Sequence, residues 1–229
     1  MAAEDASPSE TDPRDTGSAW TTRIWIRRGD GLDFDRLPVF CDAIFAIAIT
    51  LVAVEIGVPE VNDSTSAREL WAAVARDVPT IIAFFITFAI LASYWLANHR
   101  FMAALRAYTV GFRMWTMVYL ATIAFLPYPA ATFGQYPDNP VAVSLLAVAA
   151  SAVSTMEAVL FWSAFRGDLL ARPLSASQAR RALVASVTPV AVFLLSIPVA
   201  FAIHPLAAVG MWFVGPILSS LPGHRSLEL

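Results

Sequence analysis

Residues 36–58 read RLPVFCDAIFAIAITLVAVEIGV, an apolar run interrupted by two acids. A membrane-spanning helix needs about 20 apolar residues, so this stretch is long enough to cross a bilayer. Acidic side chains inside such a helix are costly and usually face protein or water. Asp42 lies about one turn inside the helix and Glu55 lies near its far end. Their positions indicate more than a plain membrane anchor.

Helical spacing gives this stretch an apolar stripe. Ile44, Ile47, Leu51 and Val54 recur at intervals of three and four residues, with Thr50 at the edge of the stripe. A stripe of this kind in a membrane helix normally faces lipid or the protein core. In an oligomer, a ring of the same side chains could instead form a hydrophobic constriction that gates ion passage.

Five more apolar stretches follow along the chain, at about 78–97, 108–130, 140–165, 182–203 and 205–221. Together with the first, they predict an all-α, polytopic membrane protein with six transmembrane helices. Only His204-Pro205 separates the last two stretches, so one long kinked span, and five spans in total, is the alternative. Composition agrees with either count, because 14% of the residues are charged, against roughly 25% in soluble domains.

Arginine placement predicts the orientation of these spans. The outer loops of the six-span arrangement hold only Arg68 and Arg76, and both lie among acidic residues. The cytoplasmic segments hold the remaining arginines apart from Arg113, which lies just inside the third span. They are Arg14, Arg23, Arg27, Arg28, Arg36, Arg100, Arg106, Arg166, Arg172, Arg180, Arg181 and Arg225. This asymmetry follows the positive-inside rule and predicts that both termini are cytoplasmic.

The chain therefore divides into three parts. We expect a disordered and basic cytoplasmic N-terminal segment at 1–35, a transmembrane domain at 36–221 and a short cytoplasmic tail at 222–229. The formal net charge is −3, which does not favour binding to nucleic acid. Fingerprints of hydrolases, metalloproteases, P-loop proteins and dinucleotide enzymes are missing from the sequence. We expect no enzyme activity, no cofactor and no metal centre.

The start of the first helix resembles a known family. Arg36, Phe40 and Asp42 fit the R-x-x-x-F-S-D motif of the transmembrane protein 175 family, in its bacterial relatives of the endolysosomal potassium channel. The following run, AIFAIAITLVAVEI, is similar to the family's first helix. Cys41 replaces the usual serine, and a thiol is only a weak hydrogen-bond donor.

Two later segments extend the resemblance to roughly residues 36–134. SYWLANHRF at 93–101 is similar to the W-x-x-H-H-x-x-F-like end of the family's second helix, although Asn98 replaces the first histidine. FLPYPAATFG at 125–134 resembles the L-P-F-P-T segment that closes the third helix. Three such segments in the same order make the resemblance specific.

The resemblance implies a potassium-permeable cation channel of the bacterial plasma membrane. It implies one six-helix repeat per chain, assembly as a homotetramer in the lipid bilayer, and a pore lined by helix one without a TVGYG filter. By position, the constriction falls on Ile47, with Leu51 and Val54 further out, and Thr50 matches the threonine tied to potassium preference. Monovalent cations would pass near Ile47 and Thr50.

The resemblance also implies a hydrogen-bonded network between the first two helices. Arg36 and Asp42 would form it with Trp95 and His99, and Phe40 is the apolar residue of the same motif. The alternative is that these polar residues only anchor the helices at the membrane interface.

Glu157 supports a rival function. It lies well inside the fourth stretch, and an ionisable residue there is a functional candidate by default. A secondary transporter could use it to carry protons, or it could pair with Arg113 in a purely structural role. A membrane scaffold without transport activity is the other non-channel alternative.

Overall fold

The computed structural model describes residues 25–28 and 32–213. Most of the predicted N-terminal segment, the last part of the predicted sixth span and the predicted tail at 222–229 lie outside the described residues. Within the described part, the chain forms seven helices and two short strands. They are β1 (Trp25–Arg27), α1 (Leu32–Val54), α2 (Ala67–Ala103), β2 (Ala107–Thr109), α3 (Val110–Phe125), α4 (Pro127–Gln135), α5 (Pro140–Arg166), α6 (Ala176–Ala202) and α7 (Pro205–Met211).

Five helical segments of the described part are long and apolar enough to span a membrane, and they confirm the first five predicted spans. The core forms where α5 packs against α3, α4 and α6, and where α1 packs against α2 and α3. Small alanines line the buried side of α5, among them Ala147 and Ala150, which are fully buried. Small side chains let neighbouring membrane helices approach closely.

Helix α2 is much longer than the predicted span at 78–97. Its 37 residues extend over about 55 Å at 1.5 Å per residue, whereas the hydrocarbon core of a bilayer is about 30 Å thick. Ser66 caps the helix by accepting a hydrogen bond from the backbone N–H of Glu69. The polar first turns therefore continue the helix rather than forming a loop, and Arg100 also lies in the helix.

The predicted third span contains a break. Helix α3 ends at Phe125 and α4 begins at Pro127, because proline lacks the backbone N–H that would continue the helix and suits the first helical position. The other end of α3 is fixed by Thr109, whose side chain accepts a hydrogen bond from the backbone N–H of Phe112.

The chain reverses direction between α6 and α7. Trp212 donates a 2.9 Å hydrogen bond from its indole N–H to the hydroxyl of Ser196, and its ring packs 5.4 Å from that of Phe193. In one continuous helix, residues 196 and 212 would lie about 24 Å apart. The alternative of a single long span is therefore wrong, while a complete sixth span stays a prediction.

A small sheet was not predicted. Strand β1 pairs antiparallel with β2, with Ile26 opposite Tyr108, so residues 25–27 are not part of a disordered segment. The guanidinium of Arg28 donates a 2.8 Å hydrogen bond to the carbonyl of Ala103. Helix α1 also begins at Leu32, four residues before the predicted boundary at residue 36. Three residues are too few to show a strand pattern in the sequence.

Candidate functional site: the exposed face of the first helix

Helix α1 has one buried face and one exposed face. The buried face repeats at intervals of three and four residues and packs into the core of the chain. It consists of Phe34, Leu37, Cys41, Phe45, Ala48 and Val52. The opposite side of the helix is exposed along most of its length within the described part of the chain.

The predicted constriction residues lie on the exposed side. The exposed fractions are 55% for Ile47, 44% for Leu51 and 72% for Val54. Ile44, the first member of the predicted stripe, instead packs partly against the core. Periodicity alone had placed all four side chains on one face, and the structure separates Ile44 from the other three.

Thr50 is exposed on the same side of the helix. Its hydroxyl lies 3.0 Å from the carbonyl oxygen of Ala46 and 2.9 Å from that of Ile47. Because the hydroxyl proton is directed at the helix backbone, the lone pairs of the oxygen are left to face outward. The exposed face therefore offers one oxygen acceptor among apolar side chains.

The structure brings together three of the five residues predicted for the motif and its network. Trp95 donates a 2.8 Å hydrogen bond from its indole N–H to the Oδ1 atom of Asp42, which links α2 to α1. The ring of His99 lies 5.6 Å from that of Trp95. Arg36 and Phe40 are exposed and make no side-chain contact with these three in the part of the chain described.

Cys41 explains how the chain tolerates the loss of the motif serine. Its side chain is fully buried on the core face of α1, and no hydrogen bond to it is found among the residues described here. At this position the thiol behaves as a small apolar group. Asp42 and Trp95 add a hydrogen bond to the packing of α1 against α2.

A second polar cluster was only partly predicted. The hydroxyl of Tyr119 donates a 3.3 Å hydrogen bond to Glu157, and the hydroxyl of Tyr94 lies 2.7 Å from that of Ser154. Glu157 forms no ion pair with Arg113 within the described ranges. The two tyrosines were missed, although a tyrosine in an apolar span indicates a partner for its hydroxyl.

The fold and this site define a multi-pass helical membrane protein. Its first helix is hydrogen-bonded to the second on one side and is exposed on the other. A family model described as "Endosomal/lysosomal potassium channel TMEM175" matches residues 36–127, the part of the chain that holds this site. A potassium channel of Chamaesiphon minutus is 32% identical over 111 residues, 46% of this chain and 51% of that protein. Over residues 36–127 the chain resembles the TMEM175 family, and the relatives that it matches are bacterial potassium channels.

Two further comparisons support the resemblance to bacterial potassium channels. A potassium channel of Streptomyces collinus is 26% identical over 151 residues, 64% of this chain and 72% of that protein. The crystal structure of a lysosomal potassium-selective channel TMEM175 homologue from Chamaesiphon minutus matches with a TM-score of 0.70 at 24% identity, covering 86% of this chain and 99% of that one. This likeness shows that the fold is shared. The matched region spans only about half of the length of the first relative.

Proposed function

We propose that the chain is one subunit of a potassium-permeable cation channel in the plasma membrane of a bacterium. Helix α1 lines the pore and forms a hydrophobic constriction, in place of a TVGYG filter. The observation that carries the proposal is the exposed face of α1, on which Ile47, Leu51 and Val54 lie opposite a fully packed side. The resemblance to a channel family makes the pore a better interpretation of this face than contact with lipid.

Permeation would follow from the chemistry of this face. A ring of Ile47 side chains excludes water, so a cation must lose part of its hydration shell to pass, and the barrier depends on how narrow the ring is. Leu51 and Val54 extend the apolar passage outward. The outward lone pairs of Thr50 would contact the ion or its remaining water molecules.

Flux through purified protein in liposomes tests the function. A channel passes potassium down its gradient in either direction, whereas a transporter that uses Glu157 would lose its coupled flux when Glu157 is replaced with Gln. A scaffold would show no flux at all. Sodium in place of potassium, at the same gradient, is the control for ion preference.

Assembly as a homotetramer would complete the pore. One chain supplies one pore helix, and a symmetric ring is the simplest arrangement that encloses a path. We expect native mass spectrometry in mild detergent to give a mass of four chains. Monomers or dimers alone would contradict the proposed pore.

The proposed topology places residues 36–221 in six spans, with the 1–35 segment and the 222–229 tail on the cytoplasmic side. We expect a membrane-impermeant thiol reagent added from outside to label Ser64→Cys and not Pro173→Cys. Both positions are exposed in loops, whereas Cys41 is fully buried and contributes no background. Outside labelling at position 173 would overturn the topology.

We expect Thr50→Ala to lower the ratio of potassium to sodium permeability. The substitution removes the single oxygen acceptor of the exposed face and leaves the apolar ring intact. Reversal potentials in mixed potassium and sodium measure the ratio. Thr50→Ser keeps the hydroxyl and is the matched control, and an equal effect of both substitutions would show that the hydroxyl is not involved.

A further inference from the structure

A cavity lies inside the helix bundle, behind the pore helix and separate from its exposed face. It has a volume of about 190 Å³ and is bordered by α2, α3, α5 and α6. Four polar side chains line it: Asn98, Tyr119, Glu157 and Ser186. The ring of Phe45, on the buried face of α1, packs 6.2 Å from the ring of Tyr119, so the cavity sits on the core side of α1.

Two of the hydroxyl protons at this cavity are already engaged. The hydroxyl of Tyr119 donates to the Oε1 atom of Glu157 over 3.3 Å. The hydroxyl of Ser186 donates to the carbonyl of Ala182 over 3.0 Å. The oxygen lone pairs of these two hydroxyls therefore remain available to a ligand in the cavity. The second carboxylate oxygen of Glu157 is available as well.

Asn98 is the unexplained member of this set. Its side chain is only 5% exposed, yet it has no hydrogen-bond partner among residues 25–28 and 32–213. A buried amide without a partner costs free energy unless a ligand or water satisfies it. Asn98 lines this cavity and also the pocket beside Asp42 and His99, so its amide is available to a species bound in either.

The carboxyl group of Glu157 is hydrogen-bonded to the hydroxyl of Tyr119 and has no basic partner among the described residues. The ion pair found in that part of the chain is Arg106 with Asp168. An ionised carboxylate inside a membrane bundle needs a positive partner. One carboxylate balances one positive charge, which favours a monovalent ion over a divalent one.

We propose that this cavity binds one monovalent alkali cation, sodium or potassium. The ligands are a carboxylate oxygen of Glu157, the amide oxygen of Asn98 and the hydroxyl oxygens of Tyr119 and Ser186. Hard cations prefer oxygen ligands of this kind. Since a water molecule occupies about 30 Å³ in the liquid, the volume also admits the waters that complete the coordination.

Thermal unfolding of the purified protein in detergent tests the site without requiring conduction. At fixed pH and ionic strength, sodium or potassium chloride replaces N-methyl-D-glucamine chloride, whose charge lies on a bulky ammonium group and not on a compact ion that oxygen ligands can surround. We expect the melting temperature to rise saturably with the alkali cation. The rise should disappear in Glu157→Gln and persist in Asp138→Asn, which removes an exposed carboxylate between α4 and α5. It should also persist in Thr50→Ala, which separates this site from a pore site.

Two results of the melting experiment on the wild-type protein and on Glu157→Gln would overturn the proposal. One is a saturable rise that survives Glu157→Gln. The other is a wild-type protein that melts at the same temperature in all three salts while responding to pH, because Glu157 would then hold a proton. If Glu157→Gln does not fold, Ser186→Ala should raise the half-saturating cation concentration several-fold, and an unchanged value would count against the site. Crystals soaked in thallium(I) should show an anomalous peak in the cavity, and its absence would contradict the assignment.

Discussion

Replacement of Ile47 with Asn is expected to raise the unitary conductance about fivefold and to weaken discrimination among cations. The amide wets the proposed ring, so the ion keeps more of its hydration shell at the narrowest point. A barrier lowered by about 1 kcal/mol corresponds to this increase, because 1.4 kcal/mol is tenfold in rate. Single-channel recording in symmetric and mixed potassium and sodium gives the conductance and the permeability ratio.

Leu195→Asn is the matched control for this substitution. Leu195 is 61% exposed on α6, close to the 55% of Ile47, so the same polar group is added at an exposed apolar position outside the proposed pore. Val52 on α1 is unsuitable, because it is 4% exposed and its truncation leaves a cavity in the core. Unchanged conductance in Ile47→Asn together with altered conductance in Leu195→Asn would mean that α1 does not line the pore.

Loss of the bond between Asp42 and Trp95 is expected to separate α1 from α2 and to reduce tetramer recovery. The bond is 2.8 Å long, and a hydrogen bond to a charged group contributes about 1.5–3 kcal/mol. Since Asp42 is half-buried, we expect a coupling of about 1.5 kcal/mol in a double-mutant cycle of Asp42→Ala, which leaves no acceptor, and Trp95→Phe. The free energy of unfolding in mixed detergent micelles gives the coupling, and size-exclusion chromatography gives the tetramer fraction.

Arg36→Ala provides the comparison for the second prediction. Arg36 belongs to the same sequence motif, but its exposed side chain makes no contact with Asp42 or Trp95 in the described structure. We expect it to leave the unfolding free energy of the single chain unchanged, and any effect on the tetramer would indicate a contact with a neighbouring subunit. A coupling free energy near zero between Asp42 and Trp95 would indicate that both residues only anchor their helices at the membrane interface.

Apolar runs were sufficient to predict the first five spans, because a bilayer demands a fixed length of apolar helix. They could not predict the ends of α2, since polar residues such as Arg68 and Asp77 lower the local hydropathy without stopping a helix that is capped at Ser66. The split between α3 and α4 was equally hidden, although Pro127 carried the signal for it.

Some residues of the candidate site were predicted and others were missed, because helical spacing relates residues within one helix only. Helical spacing placed Ile47, Leu51 and Val54 on one exposed face, because all three lie on one helix. It was wrong for Ile44, which packs partly against the core. The contact of Tyr119 with Glu157 joins two helices, and the side chains that meet across helices depend on packing angles that one sequence does not show. Resemblance supplied the link between Asp42 and Trp95, which periodicity alone could not.

The short sheet beside the start of α1 has a mechanical consequence. Strand β1 is bonded to β2, Arg28 is bonded to the end of α2 at Ala103, and the backbone N–H of Arg106 is bonded to the carbonyl of Leu169 beyond α5. A force applied to the N-terminal segment is therefore carried first by these hydrogen bonds. They transmit it to α2, α3 and α5. The sheet also contacts α1 directly, because Tyr108 of β2 donates a 2.9 Å hydrogen bond to the carbonyl of Phe34 and stacks on its ring. A force on the strands is therefore transmitted to the first turns of α1 as well.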